Sequence, residues 1–115
     1  IFNYYYNNLR DIKGIKFMPE VENGRSTHWL SVVLMEDTNH DRIEDIIRSF
    51  SEENIEVRPV WKPMHLQPVF ASLGYKSGDF PVTEKVASQG LSLPMNPYLS
   101  EEDIKGVCSA ICNDL

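Results

Sequence analysis

Apolar residues recur at intervals of three and four from the start of the chain, where Phe2, Tyr5, Tyr6, Leu9 and Ile12 share one face of an expected helix. No capping residue and no initiator Met precede Ile1, so this aromatic-rich helix reads as one cut from a longer sequence. Gly14 is its expected stop. Ile15 to Met18 then predicts a short edge strand, and Pro19 to Arg25 carries the Pro, Asn and Gly of a loop. The strongest strand signal lies in His28 to Met35, where Trp29, Val32 and Val33 predict a central strand over 29–35. Thr38 to Asp41 has the T-x-x-D form of a helix cap. Ile43, Ile46, Ile47 and Phe50 follow at helical spacing, predicting an amphipathic helix from Asn39 to Glu53.

Residues 55–58 begin as a strand, and Pro59, with no N–H to donate, takes the chain out of the sheet. Pro59, Pro63 and Pro68 predict a stiff extended path, because each ring fixes its own φ and restrains its neighbour. Ser72 to Asp79, with Gly74 and Gly78, is the expected mobile loop, followed by a short helix over Thr83 to Ser88 and a last strand over 91–93. Ser100 to Asp103 is a second capping box, and Ile104, Cys108, Ile111 and Leu115 line one face of a closing helix. Strands at 15–18, 29–35, 55–58 and 91–93, joined by short connections, define the α+β class. The expected architecture is a two-layer small domain, a mainly antiparallel sheet with helices on one face.

The chain has 115 residues, enough for one core and no second one, so residues 1–115 form a single domain. Lys and Arg number 11 against 17 Asp and Glu, a formal charge of −6, without a basic cluster. That balance argues against nucleic acid or an anionic membrane as partner, since both are held by neutralising phosphates. No apolar run approaches the roughly 20 residues of a membrane span, and the N-terminus lacks signal-peptide order, so a cytoplasmic location is expected. Cys108 and Cys112 are four apart, neither a redox C-x-x-C nor a zinc pattern, and read as core thiols.

Asp37 to Asp41 resembles the first half of a calcium loop, but Arg42 stands where the loop needs Gly and Arg48 where it needs Glu, so it reads as helix capping. His28, His40 and His65 have no i, i+4 pairing and no adjacent cysteine, and no metal site is expected. Phosphate-loop, dinucleotide and nucleophile-elbow motifs are absent, and the chain carries no catalytic residue of its own by this reading. What stands out is Arg58-Pro59-Val60-Trp61-Lys62-Pro63-Met64-His65-Leu66-Gln67-Pro68-Val69-Phe70. It places a permanent cation, aromatics, an imidazole and an amide on a proline-braced path at a strand end. Arg58 suits a carboxylate or phosphate, His65 and Gln67 suit polar groups of a sugar or base, and Trp61 offers a flat face to a ring. The plainer alternative makes Trp61 and Phe70 core and the polar residues solvated.

This stretch, as Arg58-Pro59-x-Trp61-x-Pro63-x-His65-x-Gln67-Pro68-x-Phe70, resembles the C-terminal-domain motif of the DegT/DnrJ/StrS sugar aminotransferases, which use pyridoxal phosphate. RSTHWLSVVL (25–34), NIEVR (54–58) and GLSLPMNPYLSEED (90–103) resemble flanking segments of that family, and the likeness runs from about residue 15 to residue 112. The resemblance implies the small domain of a fold type I aminotransferase, which moves an amino group from glutamate to a nucleotide-linked keto sugar for surface polysaccharide or a glycosylated product. It also implies that the Schiff-base lysine and the phosphate-binding residues belong to a large N-terminal domain absent from this sequence. None of Lys13, Lys16, Lys62, Lys76, Lys85 or Lys105 stands in the family's lysine context. No residue here is therefore expected to bind the cofactor, and the fragment alone is expected to be inactive.

The full-length enzyme implied by the resemblance is a homodimer. Arg58 and His65 would face the sugar nucleotide or the glutamate carboxylate, with Trp61 and Gln67 as second choices. Its own N-terminal domain would be the chain's first partner. Alternatives remain: a stand-alone small-molecule-binding or regulatory α+β domain, an oligomerisation domain, or a pyridoxal-phosphate sugar dehydratase on the same scaffold. The residue that decides between aminotransferase and dehydratase lies outside this chain.

Overall fold

A computed structural model describes all residues 1–115. Four short strands form one sheet: β1 (Ile15–Phe17), β2 (Ser31–Met35), β3 (Arg58–Pro59) and β4 (Gly90–Leu93). Their spatial order is β1-β2-β4-β3 and every pairing is antiparallel. Alternation along the strands separates two faces. Ile15, Val33, Met35, Leu91 and Leu93 point into the core, with Val33 opposite Leu91 and Ile15 opposite Met35. Lys16, Leu34, Val32, Ser92 and Arg58 fall on the other face by the same register.

Helices α1 (Phe2–Leu9), α2 (His40–Glu52) and α4 (Glu101–Asn113) cover the core face. α1 contributes Tyr5 and Leu9, α2 Ile43, Ile46 and Phe50, and α4 Ile104, Val107 and Ile111. Each fully buried side chain of this size is worth roughly 1.5–3 kcal/mol relative to exposure. Tyr5 is wholly enclosed, and its hydroxyl donates to the Pro94 carbonyl at 3.0 Å, so the one polar atom that α1 buries is satisfied. Helix α3 (Pro81–Gln89) runs directly into β4. The α+β layer with helices on one face is the expected architecture.

Several boundaries differ, each for a local reason. α1 ends at Leu9, short of the stop expected at Gly14, because the Ile12 N–H bonds back to the Leu9 carbonyl and the chain turns into Gly14 at φ +92°. The central strand starts at Ser31, not residue 29. β3 is confined to Arg58–Pro59 instead of 55–58, because the Ile55 N–H still bonds to Phe50 at the helix end and Asn54 is left-handed. The cap of α2 is Asn39, whose Oδ1 accepts from the Arg42 N–H at 2.9 Å, whereas the Thr38 hydroxyl donates back to the Met35 carbonyl. At α4 the box expected at Ser100 and Asp103 is present in both directions. Cys108 is buried as expected, but Cys112 is exposed, since α4 presents that position to solvent. No helix is long and apolar enough to cross a membrane.

Candidate functional site

The proline-braced stretch leaves β3 and folds into two 3₁₀ turns, Met64–Leu66 and Pro68–Leu73, instead of the extended path expected from its prolines. Proline accounts for both outcomes: its fixed φ suits the first position of a tight turn as well as an extended chain, and Pro68 opens the second turn. Pro63 is buried and anchors this ledge, while the Val60 N–H keeps one last bond to Gly90 at 3.1 Å. The second turn ends at Gly74, left-handed at φ +79°.

The four residues singled out from the sequence do not converge on one point. Arg58 is 77% exposed, and its guanidinium grips Glu56 with Nε at 2.9 Å. Trp61, also 77% exposed, meets the exposed Trp29 ring with centroids 6.3 Å apart. Gln67 spends its amide inside the ledge, donating to the Lys62 carbonyl at 3.2 Å. His65 is turned inward: its side chain is 7% exposed, its Nε2 lies 2.9 Å from Glu84 Oε1, and its ring packs on Phe80 at 4.8 Å.

Glu84, in the first turn of α3, is the hub that sequence reasoning missed. Its carboxylate accepts from Ser77 Oγ at 2.9 Å and from the Gly78 N–H at 2.8 Å as well as from His65. These bonds, led by the one from His65, pull its carboxyl down to about 2. They also fasten the segment expected to be a mobile loop: Ser77 and Gly78 bond to Glu84, and the Lys76 N–H donates to Asp79. A cavity of about 410 Å³ opens beside His65, walled mainly by Met64, Phe70, Leu73, Tyr75 and Phe80. A second of about 550 Å³ lies against Lys62, Pro63, Leu66, Glu84 and Lys85. An acid in the first turn after Pro81 was visible in the sequence, but nothing local announced His65 as its partner.

All six lysines are exposed.

The chain is thus a small antiparallel sheet with helices on one face and a proline-braced ledge at its edge. Residues 1–112 match the DegT/DnrJ/EryC1/StrS aminotransferase family, and the chain belongs to that family. EpsN of Bacillus subtilis, whose name marks it as an inferred pyridoxal phosphate-dependent aminotransferase, is 38% identical over 105 residues, 90% of this chain and 26% of EpsN. GDP-perosamine synthase of Caulobacter vibrioides is 32% identical over 88 residues, covering 76% of this chain and 23% of that enzyme. Among solved structures, the PMP form of Spr1654 of Streptococcus pneumoniae, named as an inferred sugar aminotransferase, superposes with a TM-score of 0.88 at 18% identity. It covers 97% of this chain and 28% of that one, and shows the same fold. The chain thus spans about a quarter of the length of the relatives it matches.

Proposed function

We propose that this chain is the C-terminal small domain of a pyridoxal phosphate-dependent aminotransferase that transfers an amino group from glutamate to a nucleotide-linked keto sugar. Family membership across residues 1–112 carries this reading. The name of the GDP-perosamine synthase relative supports a nucleotide-sugar substrate, and the fold shared with fold type I enzymes supports the role of small domain. When bound, the cofactor supplies the electron sink that lets an amino group pass between donor and acceptor. A separate N-terminal domain holds it, and this chain alone is inactive.

The contribution of the chain is then binding and orientation. Arg58 is on the sheet face opposite the helices and its only ionic partner is the exposed Glu56, so an anionic group of substrate can take the guanidinium with little desolvation lost. Trp61 and Trp29 present exposed aromatic surface near the ledge for a ring or for the neighbouring domain. His65 and Gln67 shape the ledge itself. The enzyme works in the cytoplasm as a homodimer.

The test is an absorbance spectrum of the full-length gene product with added pyridoxal phosphate, before and after borohydride. A reducible band that bleaches on adding glutamate is the expected result. Cofactor binding that borohydride cannot trap replaces the aminotransferase with a dehydratase, and no binding at all supports a stand-alone binding module instead.

A further inference from the structure

Glu84 and His65 form a carboxylate–imidazole pair with a defined direction. Glu84 stays ionised over the working pH range, held by the N–H and O–H donors around it, so it acts only as an acceptor. The Nε2–H of His65 must therefore be the donor in their 2.9 Å bond. In the neutral ring this fixes the tautomer and leaves Nδ1 with a bare lone pair. Nδ1 has no partner in the protein and is not among the enclosed polar atoms lacking one, so it reaches solvent although the side chain is only 7% exposed. The ring lines the 410 Å³ cavity whose other walls are Met64, Phe70, Leu73, Tyr75, Phe80 and Thr83.

That cavity discriminates between the two substrates of the proposed reaction. No Lys or Arg lines it, so it offers no permanent cation to the two carboxylates of glutamate or to a pyrophosphate. Its polar atoms are the His65 ring and the Tyr75 and Thr83 hydroxyls among otherwise apolar walls, a lining that suits hydroxyls on an otherwise apolar ring face. We infer that Glu84 is a positioning residue for His65, fixing the tautomer whose bare Nδ1 accepts a hydrogen bond from a hydroxyl of the keto sugar. This inference rests on the aminotransferase reading above, and it goes beyond it by assigning one hydroxyl contact and the residue that sets its polarity.

Glu84→Gln is the informative variant because it is isosteric. The Gly78 N–H, a donor that cannot reverse, lies 2.8 Å from Oε1, the oxygen that also faces His65, so the amide oxygen takes that place and the NH₂ group faces Ser77 Oγ, which can turn to accept. His65 then faces a neutral acceptor in place of a carboxylate, and the hold on the Nε2–H tautomer weakens. The test uses the full-length enzyme. Histidine-selective ¹⁵N NMR at a pH where the ring is neutral is expected to show the Nε2–H form in wild type and a larger share of the Nδ1–H form in Glu84→Gln. In kinetics with a panel of UDP-, dTDP- and GDP-linked keto sugars, Glu84→Gln is expected to raise the sugar KM about tenfold, the size of one hydrogen bond. Conversion of the cofactor by glutamate alone should not change. In a His65→Ala background, Glu84→Gln should add nothing further, whereas a merely structural role would persist there through Ser77 and Gly78. A wild-type ring protonated on Nδ1, or an undiminished effect of Glu84→Gln without His65, overturns the inference. Failure of glutamate to convert the wild-type cofactor overturns the aminotransferase reading instead, and the NMR result stands apart from it.

Discussion

The same substitution at two glycines should move stability in opposite directions. Gly90 opens β4 and is buried, with φ −91° and ψ 135°, a backbone that any residue adopts. Its lack of a side chain is therefore not conformational. A Cβ there would lie 2.4 Å from Val60 Cγ2, 3.1 Å from Val60 Cβ and 2.5 Å from the Val86 carbonyl oxygen. Carbon atoms pack at about 3.5–4.0 Å, so the overlap with Val60 exceeds about 1 Å. Neither neighbour yields easily: Val60 is β-branched and Val86 presents backbone in the last turns of α3. Overpacking of this kind costs about 1–3 kcal/mol, and the backbone contact puts Gly90→Ala toward the upper end. Gly106, inside α4, has nothing within 4 Å of an added Cβ. Gly106→Ala should stabilise the chain by about 0.5–1 kcal/mol, the helix-propensity difference. Urea unfolding followed by far-ultraviolet circular dichroism reads both. With a slope of about 1–3 kcal/mol per molar, the two midpoints should separate by on the order of 1–2 M, with Gly106→Ala higher. Midpoints that coincide within error, or a Gly90→Ala chain as stable as wild type, would falsify the steric account of the β4–ledge junction.

Three further outcomes follow from single groups. Tyr5→Phe keeps the packing of α1 but strands the Pro94 carbonyl, and should cost about 1–2 kcal/mol in the same assay. Glu84 has its carboxyl held at about 2 against an ordinary 4.5, so its contribution is complete above about pH 4.5 and is lost as pH falls toward 2. The melting-temperature gap between wild type and Glu84→Gln should therefore be constant at neutral pH and close between pH 4.5 and 2; a gap that stays open at pH 2 refutes the assignment. Burial and the neighbouring Cys112 push the Cys108 thiol up to about 11 while Cys112 itself is exposed, so iodoacetamide at pH 8 should label Cys112 alone by peptide mass mapping.

The parts of the fold legible in the sequence were those fixed by short-range repetition. The isoleucines of α2 recur at helical spacing, and Ile43, Ile46 and Phe50 are the residues the helix buries. The box at Ser100 needs only two residues three apart, and it formed as written. Boundaries failed where a longer-range partner decided them. Thr38 has the right side chain for a cap, yet its hydroxyl turns to Met35 and its carbonyl accepts from Gln89 of α3, which leaves the cap to Asn39. Residues 55–57 have strand composition, but the helix end holds Ile55 and the core takes Val57, so only Arg58 and Pro59 reach β4.

The motif was legible as a unit, and its internal division of labour was not. Residues that recur together in such a stretch need not share a task, because the same thirteen positions must both fold the ledge and meet a ligand. Pro63 is buried, Gln67 closes the turn through Lys62, and His65 spends Nε2 on Glu84, 19 residues away. Arg58 and Trp61 remain outward, their contacts being with Glu56 and Trp29 on the same exposed surface. An imidazole with one nitrogen committed to the fold and the other left bare is where the two tasks meet. Losing Arg58 should therefore weaken recognition without loosening the ledge, and losing Glu84 should alter recognition through His65 before it alters the fold. Sequence composition treats those two residues alike as exposed charges; their partners separate them.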